Sequence, residues 1–60
     1  MEQGVFITAH EVAELLGISK SKAYIIIREL NEELFAKGFI TVAGRVSRKF
    51  FEEKFYGVAG

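Results

Sequence analysis

Apolar residues along this 60-residue chain fall into three stretches of helical spacing and one β-rich run. Thr8 opens the first: with Glu11 it makes a capping box, and Ile7 before the cap can staple onto Val12. The pattern predicts a helix from Ala9 to Leu16, with Val12, Leu15 and Leu16 facing inward. Gly17 ends that helix and Ser19 caps the next, so the link is about three residues, the spacing of a helix-turn-helix. The second helix is predicted from Lys20 to Ala36. At about 100° per residue, Ala23, Ile26, Ile27, Leu30 and Leu34 share one side. Ser21, Ile25 and Arg28 lie opposite, flanked by Lys22 and Tyr24. Lys37 suits the negative end of this helix, and Gly38 terminates it. Phe35 projects off the core stripe, either under the third helix or into a protein interface.

Beyond Gly38, the run Phe39-Ile40-Thr41-Val42 is rich in β-branched residues and predicts a strand. Ala43-Gly44-Arg45 reads as a turn and Val46 as the start of a very short return strand. Val5 to Ile7 offers either a third strand or an entry to the first helix. Ser47 caps a third helix to Tyr56, on which Phe51 and Phe55 stand one turn apart on the buried side with Phe50 beside them. Gly57 stops it. Residues 1–4 and 58–60 are expected to be disordered tails. These elements define one domain over residues 1–60, mainly α with a small β wing: a winged helix-turn-helix of three helices and a two-stranded hairpin.

Composition narrows the classes of function. A chain of this length has one small core and is marginal without a metal, a disulfide or a partner. Half of its residues are hydrophobic and six are Phe, so the core is expected to be dense in aromatic and aliphatic side chains. The absence of Cys excludes disulfides and thiolate metal sites. No apolar run approaches a membrane span and no basic leader precedes an apolar stretch, so the chain is expected to be soluble and cytoplasmic, with no membrane partner. An enzyme is not expected, and neither is a cofactor. There is no Asp, and His10 has no partner at ligand spacing, which leaves it an exposed helix-start histidine and no metal site. Glu32 with Glu33 and Glu52 with Glu53 are helical neighbours that diverge by about 100°, solvated faces and not paired carboxylates.

Eight basic and eight acidic residues cancel, which on net charge alone does not describe a nucleic-acid binder. Their placement says more. Residues 1–18 hold Glu2, Glu11 and Glu14 and no Lys or Arg. Lys20, Lys22 and Arg28 then follow without an acid, as do Arg45, Arg48 and Lys49. Lys20 and Lys22 sit at the positive end of a helix dipole, where each costs about 0.3 to 1 kcal/mol. Arg48 and Lys49 repeat the inversion behind the cap Ser47. Cations so placed are rewarded if an anion lies there, because free backbone donors, dipole and side chain all attract phosphate. The plainer alternative is a set of solvated surface residues. Ile25, centred on the polar face, is suited to a thymine methyl, and Tyr24 can donate to a phosphate. Arg45 at the tip of a wing could lie along a phosphate or enter a minor groove.

The run from Ile7 to Ser19, with Lys22-Ala23-Tyr24 and Ile27-Arg28-Glu29-Leu30, resembles the helix-turn-helix of small excisionase-like proteins and of the related MerR-type winged helices. Gly44-Arg45-Val46 followed by an aromatic helix is similar to their wing and the element after it. The resemblance covers residues 7–56. It implies a DNA-binding protein of a mobile element, acting either as a recombination directionality factor beside an integrase or as a small transcriptional regulator. It also implies that Ser19, Lys20, Ser21, Lys22, Tyr24 and Arg28 occupy recognition-helix positions and Arg45 a wing position.

Two departures stand out: the second helix is longer than usual, and no proline precedes the last helix. The extra turns carry Leu34 and Phe35 beside Glu29, Glu32 and Glu33, which points that end away from DNA.

The expected partner is double-stranded DNA, read in a major groove by the second helix. Lys20, Lys22 and Arg28 would grip phosphates or guanine edges, and Ser21, Tyr24 and Ile25 would tune base choice. Arg45, Arg48 and Lys49 would hold the neighbouring backbone. One such module buries only roughly 600 to 1,000 Å² of protein surface, so a homodimer or a cooperative assembly is expected. The rival expectation is a winged-helix protein-interaction module that binds no DNA.

Overall fold

The computed structural model describes residues 5–55. The tails expected at 1–4 and 58–60, and Tyr56 and Gly57, lie outside those residues; the last helix ends at Lys54 with Phe55 as its cap, short of the Tyr56 expected from the sequence. Chain order is β1 (Phe6–Thr8), α1 (Ala9–Leu16), α2 (Lys20–Ala36), β2 (Arg45–Ser47) and α3 (Arg48–Lys54). Three helices and a two-stranded antiparallel sheet make the small winged-helix architecture that the sequence predicts.

Local chemistry sets the helix bounds. Thr8 takes the Glu11 N–H on its hydroxyl at 3.2 Å, and the Thr8 N–H donates to the Glu11 carboxylate at 3.0 Å, so the capping box is complete. Gly17 closes α1 at φ 69, a left-handed conformation that costs a side-chain-bearing residue about 1 to 2 kcal/mol. The amides of Gly17 and Ile18 both donate to the Ala13 carbonyl, which turns the chain sharply into Ser19. Ser19 accepts from the Lys22 N–H at 3.2 Å and starts α2. At the far end Gly38 and Phe39 donate back to Phe35 and Leu34 at 3.0 and 3.1 Å, which stops the helix where the sequence predicts.

The core gathers Ile7, Ala9, Val12, Ala13, Ala23, Ile27, Leu30, Leu34, Val46 and Phe51. The predicted α2 stripe is buried apart from Ile26, which is half-buried against it. On α1 the inward face is Ala9, Val12 and Ala13. Leu16 packs partly against the core, but Leu15 is 45% exposed, a correction to its expected inward position. Phe51 is fully buried, with its ring centroid 4.8 Å from that of Phe55. Phe35 is not covered by α3: it stands 72% exposed.

The sheet differs from expectation in its partners. β2 pairs with β1 in the register Phe6–Ser47, Ile7–Val46 and Thr8–Arg45. The strand predicted over Phe39–Val42 does not form; that run contributes one isolated bridge, Val42 to Arg45. Strand propensity reflects packing more than backbone preference. Here Phe39, Ile40 and Val42 are exposed, while Ile7 and Val46 are buried opposite each other in the pair that does form. The turn at Ala43-Gly44 survives, closed by the Arg45 N–H donating to the Val42 carbonyl at 3.2 Å.

Candidate nucleic-acid interface

Fixing the core stripe of α2 leaves its opposite face to solvent. Ser19, Lys20, Ser21, Lys22, Tyr24, Ile25 and Arg28 are all exposed, as the helical spacing requires. Ser19 satisfies only the Lys22 amide, and the amides of Lys20 and Ser21 precede the first intrahelical bond, from Ala23 to the Ser19 carbonyl at 3.0 Å. The start of α2 therefore combines outward backbone donors with two lysines.

The wing stands beside this face. An open groove runs between α2 and the Ala43-Gly44 turn, lined on the helix by Tyr24, Ile25, Arg28, Asn31, Glu32 and Phe35. Gly44 has φ 79, and a Cβ built there would lie 3.5 Å from the Tyr24 ring. Tyr24 thus serves as a platform for the turn as well as an outward group. Asn31, which sequence reasoning passed over, donates through its side-chain amide to the Val42 and Arg45 carbonyls at 3.0 and 2.8 Å. The one hint in the sequence is its residue type, since asparagine is a poor choice for a helix interior.

Charges sort by partner. Lys54 pairs with Glu33 at 2.9 Å, and the Lys37 and Lys54 ammonium groups lie 5.5 and 5.6 Å from the Phe50 ring centroid. The Lys54 contact holds the Glu33 carboxyl below its usual value. Among the described residues, Lys20, Lys22, Arg28, Arg45 and Lys49 have no carboxylate within ion-pair distance. His10 on α1 meets Glu14 at 3.2 Å, and the described residues contain no acidic or histidine cluster able to hold a metal ion.

Arg48 behaves differently from the other cations singled out in the sequence. Its guanidinium donates to both Glu11 carboxylate oxygens at 3.1 and 3.3 Å and to the Phe6 carbonyl at 3.4 Å. Its backbone N–H donates to the Val5 carbonyl at 2.9 Å. The start of α3 is therefore tied to β1 and to the cap of α1. The Thr8 N–H foremost, and then Arg48, lower the Glu11 pKa from its ordinary value. Sequence spacing paired Glu11 with Thr8 correctly, but it could not show that β1–β2 pairing would carry Arg48 to the same carboxylate. At the start of α3 the Arg48 guanidinium thus has a carboxylate partner within this protein.

Fold and site together define a winged helix-turn-helix module, in which a basic helix face and a glycine turn border one groove. The chain is similar to the ICEBs1 excisionase of Bacillus subtilis (strain 168), with 41% identity over 51 residues that span 85% of this chain and 80% of that protein. The chain belongs to the excisionase family, small proteins of mobile elements. No family model matches it, and no solved structure matches it. No helix among the described residues is long and apolar enough to cross a membrane.

Proposed function

We propose that this chain binds duplex DNA as a recombination directionality factor, acting beside an integrase at the attachment sites of the mobile element that carries it. The outward face of α2 enters a major groove, with Lys20, Lys22 and Arg28 on phosphates or guanine edges. Ser21, Tyr24 and Ile25 face the bases, and Arg45 and Lys49 reach the flanking backbone. The observation that carries this reading is the sorting of charge. Lys37, Lys54 and Arg48 are engaged within the fold, whereas among the described residues Lys20, Lys22, Arg28 and Arg45 have no carboxylate within ion-pair distance. Family membership supports directionality control over transcriptional regulation. A single module is small for tight binding, so we expect neighbouring copies to bind cooperatively or as a dimer.

The test is binding to attachment-site and scrambled duplexes across a salt series. Lys22→Ala and Arg28→Ala should each weaken binding and lower the slope of log affinity against log salt by about 0.9, one phosphate contact apiece. Unfolding free energy should shift by no more than about 0.5 kcal/mol, the range of ordinary surface changes. A wild-type chain that binds neither duplex, yet forms a stable complex with a protein, would replace this reading with that of an interaction module. The exposed Phe35, Phe39 and Ile40 would then be the place to map the contact.

A further inference from the structure

We infer that Asn31 is a positioning residue that sets the wing against α2, and that whatever DNA affinity Arg45 supplies depends on it. The inference rests on the DNA-binding reading. The Asn31 amide nitrogen donates to the carbonyls of Val42 and Arg45, residues 11 and 14 positions away, at 3.0 and 2.8 Å. Those carbonyls stand on either side of Ala43-Gly44, so one amide spans the turn. Both partners are acceptors, and only the NH2 end of an amide can face two acceptors, which fixes its orientation.

Beyond that tether, the turn is anchored on one side by β2, whose first residue Arg45 is in register with Thr8 on β1. Across it runs one isolated bridge, between Val42 and Arg45. Val42, Ala43 and Arg45 are exposed, and Gly44 faces the Tyr24 ring, which a Cβ built on it would meet at 3.5 Å. Tyr24 and Asn31 are seven residues apart, nearly two helical turns, and so share one face of α2 with Arg28 between them. The same helix face that would meet DNA thus also sets where Arg45 stands.

The exposure of these hydrogen bonds decides what the tether can do. Water can take the place of an exposed amide at either carbonyl, so removing Asn31 costs the fold little. Water cannot hold the turn at a fixed distance from α2. The consequence falls on the position of Arg45, not on unfolding.

The test uses Asn31→Leu and Asn31→Ala, alone and combined with Arg45→Ala, titrated against a labelled attachment-site duplex across a salt series. Alanine is the better helix former, so Asn31→Ala keeps α2 intact. Each Asn31 variant should weaken binding about tenfold, the loss of two modest hydrogen bonds' worth of preorganisation. Each should also lower the salt slope by about 0.9. A neutral-for-neutral change has no direct route to such a drop, so the slope reports the displaced arginine. In the Arg45→Ala background the Asn31 changes should add nothing. Backbone relaxation measured on the free chain should show the turn residues 43 and 44 newly mobile.

An unchanged slope, effects that add to those of Arg45→Ala, or a turn that stays rigid would each overturn the inference while wild-type binding stands. A wild type that binds no duplex overturns the DNA reading and the affinity claim together, and leaves the relaxation result to decide whether the tether exists.

Discussion

Replacing Arg48 by alanine separates a cation that holds the fold from one that would hold DNA. The wild-type guanidinium shares one nitrogen between the two Glu11 oxygens at 3.1 and 3.3 Å and reaches the Phe6 carbonyl at 3.4 Å. The Arg48 side chain is 17% exposed and that of Glu11 is 44% exposed, so solvent screens the pair from one side only. An exposed pair contributes about 0.2 to 1 kcal/mol, and the loss of packing along the arginine stem adds to it. Arg48→Ala should therefore cost about 1 to 1.5 kcal/mol in all.

In a domain of this size, about 1 kcal/mol moves the midpoint by roughly 4 to 8 °C, so the expected fall in Tm is about 4 to 12 °C. Circular dichroism melts without DNA measure it. Binding to duplex, at a temperature where the variant remains folded, should keep the wild-type salt slope. The reasoning fails if Tm moves by less than about 2 °C while the slope falls by about 0.9, because Arg48 would then be a phosphate contact and its tie to Glu11 incidental. Lys49→Ala, which removes an exposed cation with no ion-pair partner among the described residues, should do the reverse: melt as wild type and lower the slope.

Acid should expose the same tie. The Glu11 carboxyl is held below its ordinary 4.5, by the Thr8 amide first and also by Arg48, and that of Glu33 is lowered chiefly by the Lys54 hydrogen bond. Folded values that are depressed give stability that is fully present above 4.5 and lost as pH falls through them, so urea midpoints should hold above 4.5 and drop below it. Glu11→Gln should flatten that acid limb, and an identical limb in the variant would sink the assignment. Gly44→Ala tests the turn. Its Cβ would meet the Tyr24 ring at an ordinary 3.5 Å, so the left-handed φ of 79 sets the penalty. The expected cost is about 1 kcal/mol, read from urea midpoints. An unshifted midpoint would mean that the turn rearranges freely.

What the sequence disclosed and what it withheld divide by reach along the chain. Thr8 with Glu11, Ser19 with Lys22, and Gly17 and Gly38 act within a few residues of themselves, so the bounds of α1 and α2 could be read from spacing and residue type. The outward face of α2 followed from periodicity in the same way. Long-range choices were not legible. Phe39-Ile40-Thr41 repeats the residues of Phe6-Ile7-Thr8, so propensity could not choose between them; β2 pairs with the latter, where Ile7 is buried opposite Val46 while Ile40 is left in solvent. Arg48 looked like Lys49 until that pairing set it on Glu11. Asn31 looked like one more polar residue on a helix until the turn folded over it.

The neutral net charge, which first argued against nucleic acid, takes on a different meaning once the acids are located. Glu11 and Glu33 are spent inside the fold on Arg48 and Lys54. Glu29 and Glu32 remain on α2, beyond its basic start. The nearest of these, Glu29, is seven residues past Lys22 and nine past Lys20, about 10 and 14 Å along the axis, more than the roughly 8 Å over which charges interact at physiological ionic strength. A phosphate at the start of α2 would therefore meet Lys20 and Lys22 with the distant acids largely screened. Arg28 stands at the boundary, one turn before Glu32, and is the cation whose contribution those acids would trim most. The length of α2 thus allows a chain of zero net charge to present a basic end, and it makes that end short, which on the proposed reading would limit how many phosphates one copy engages and would favour binding by more than one.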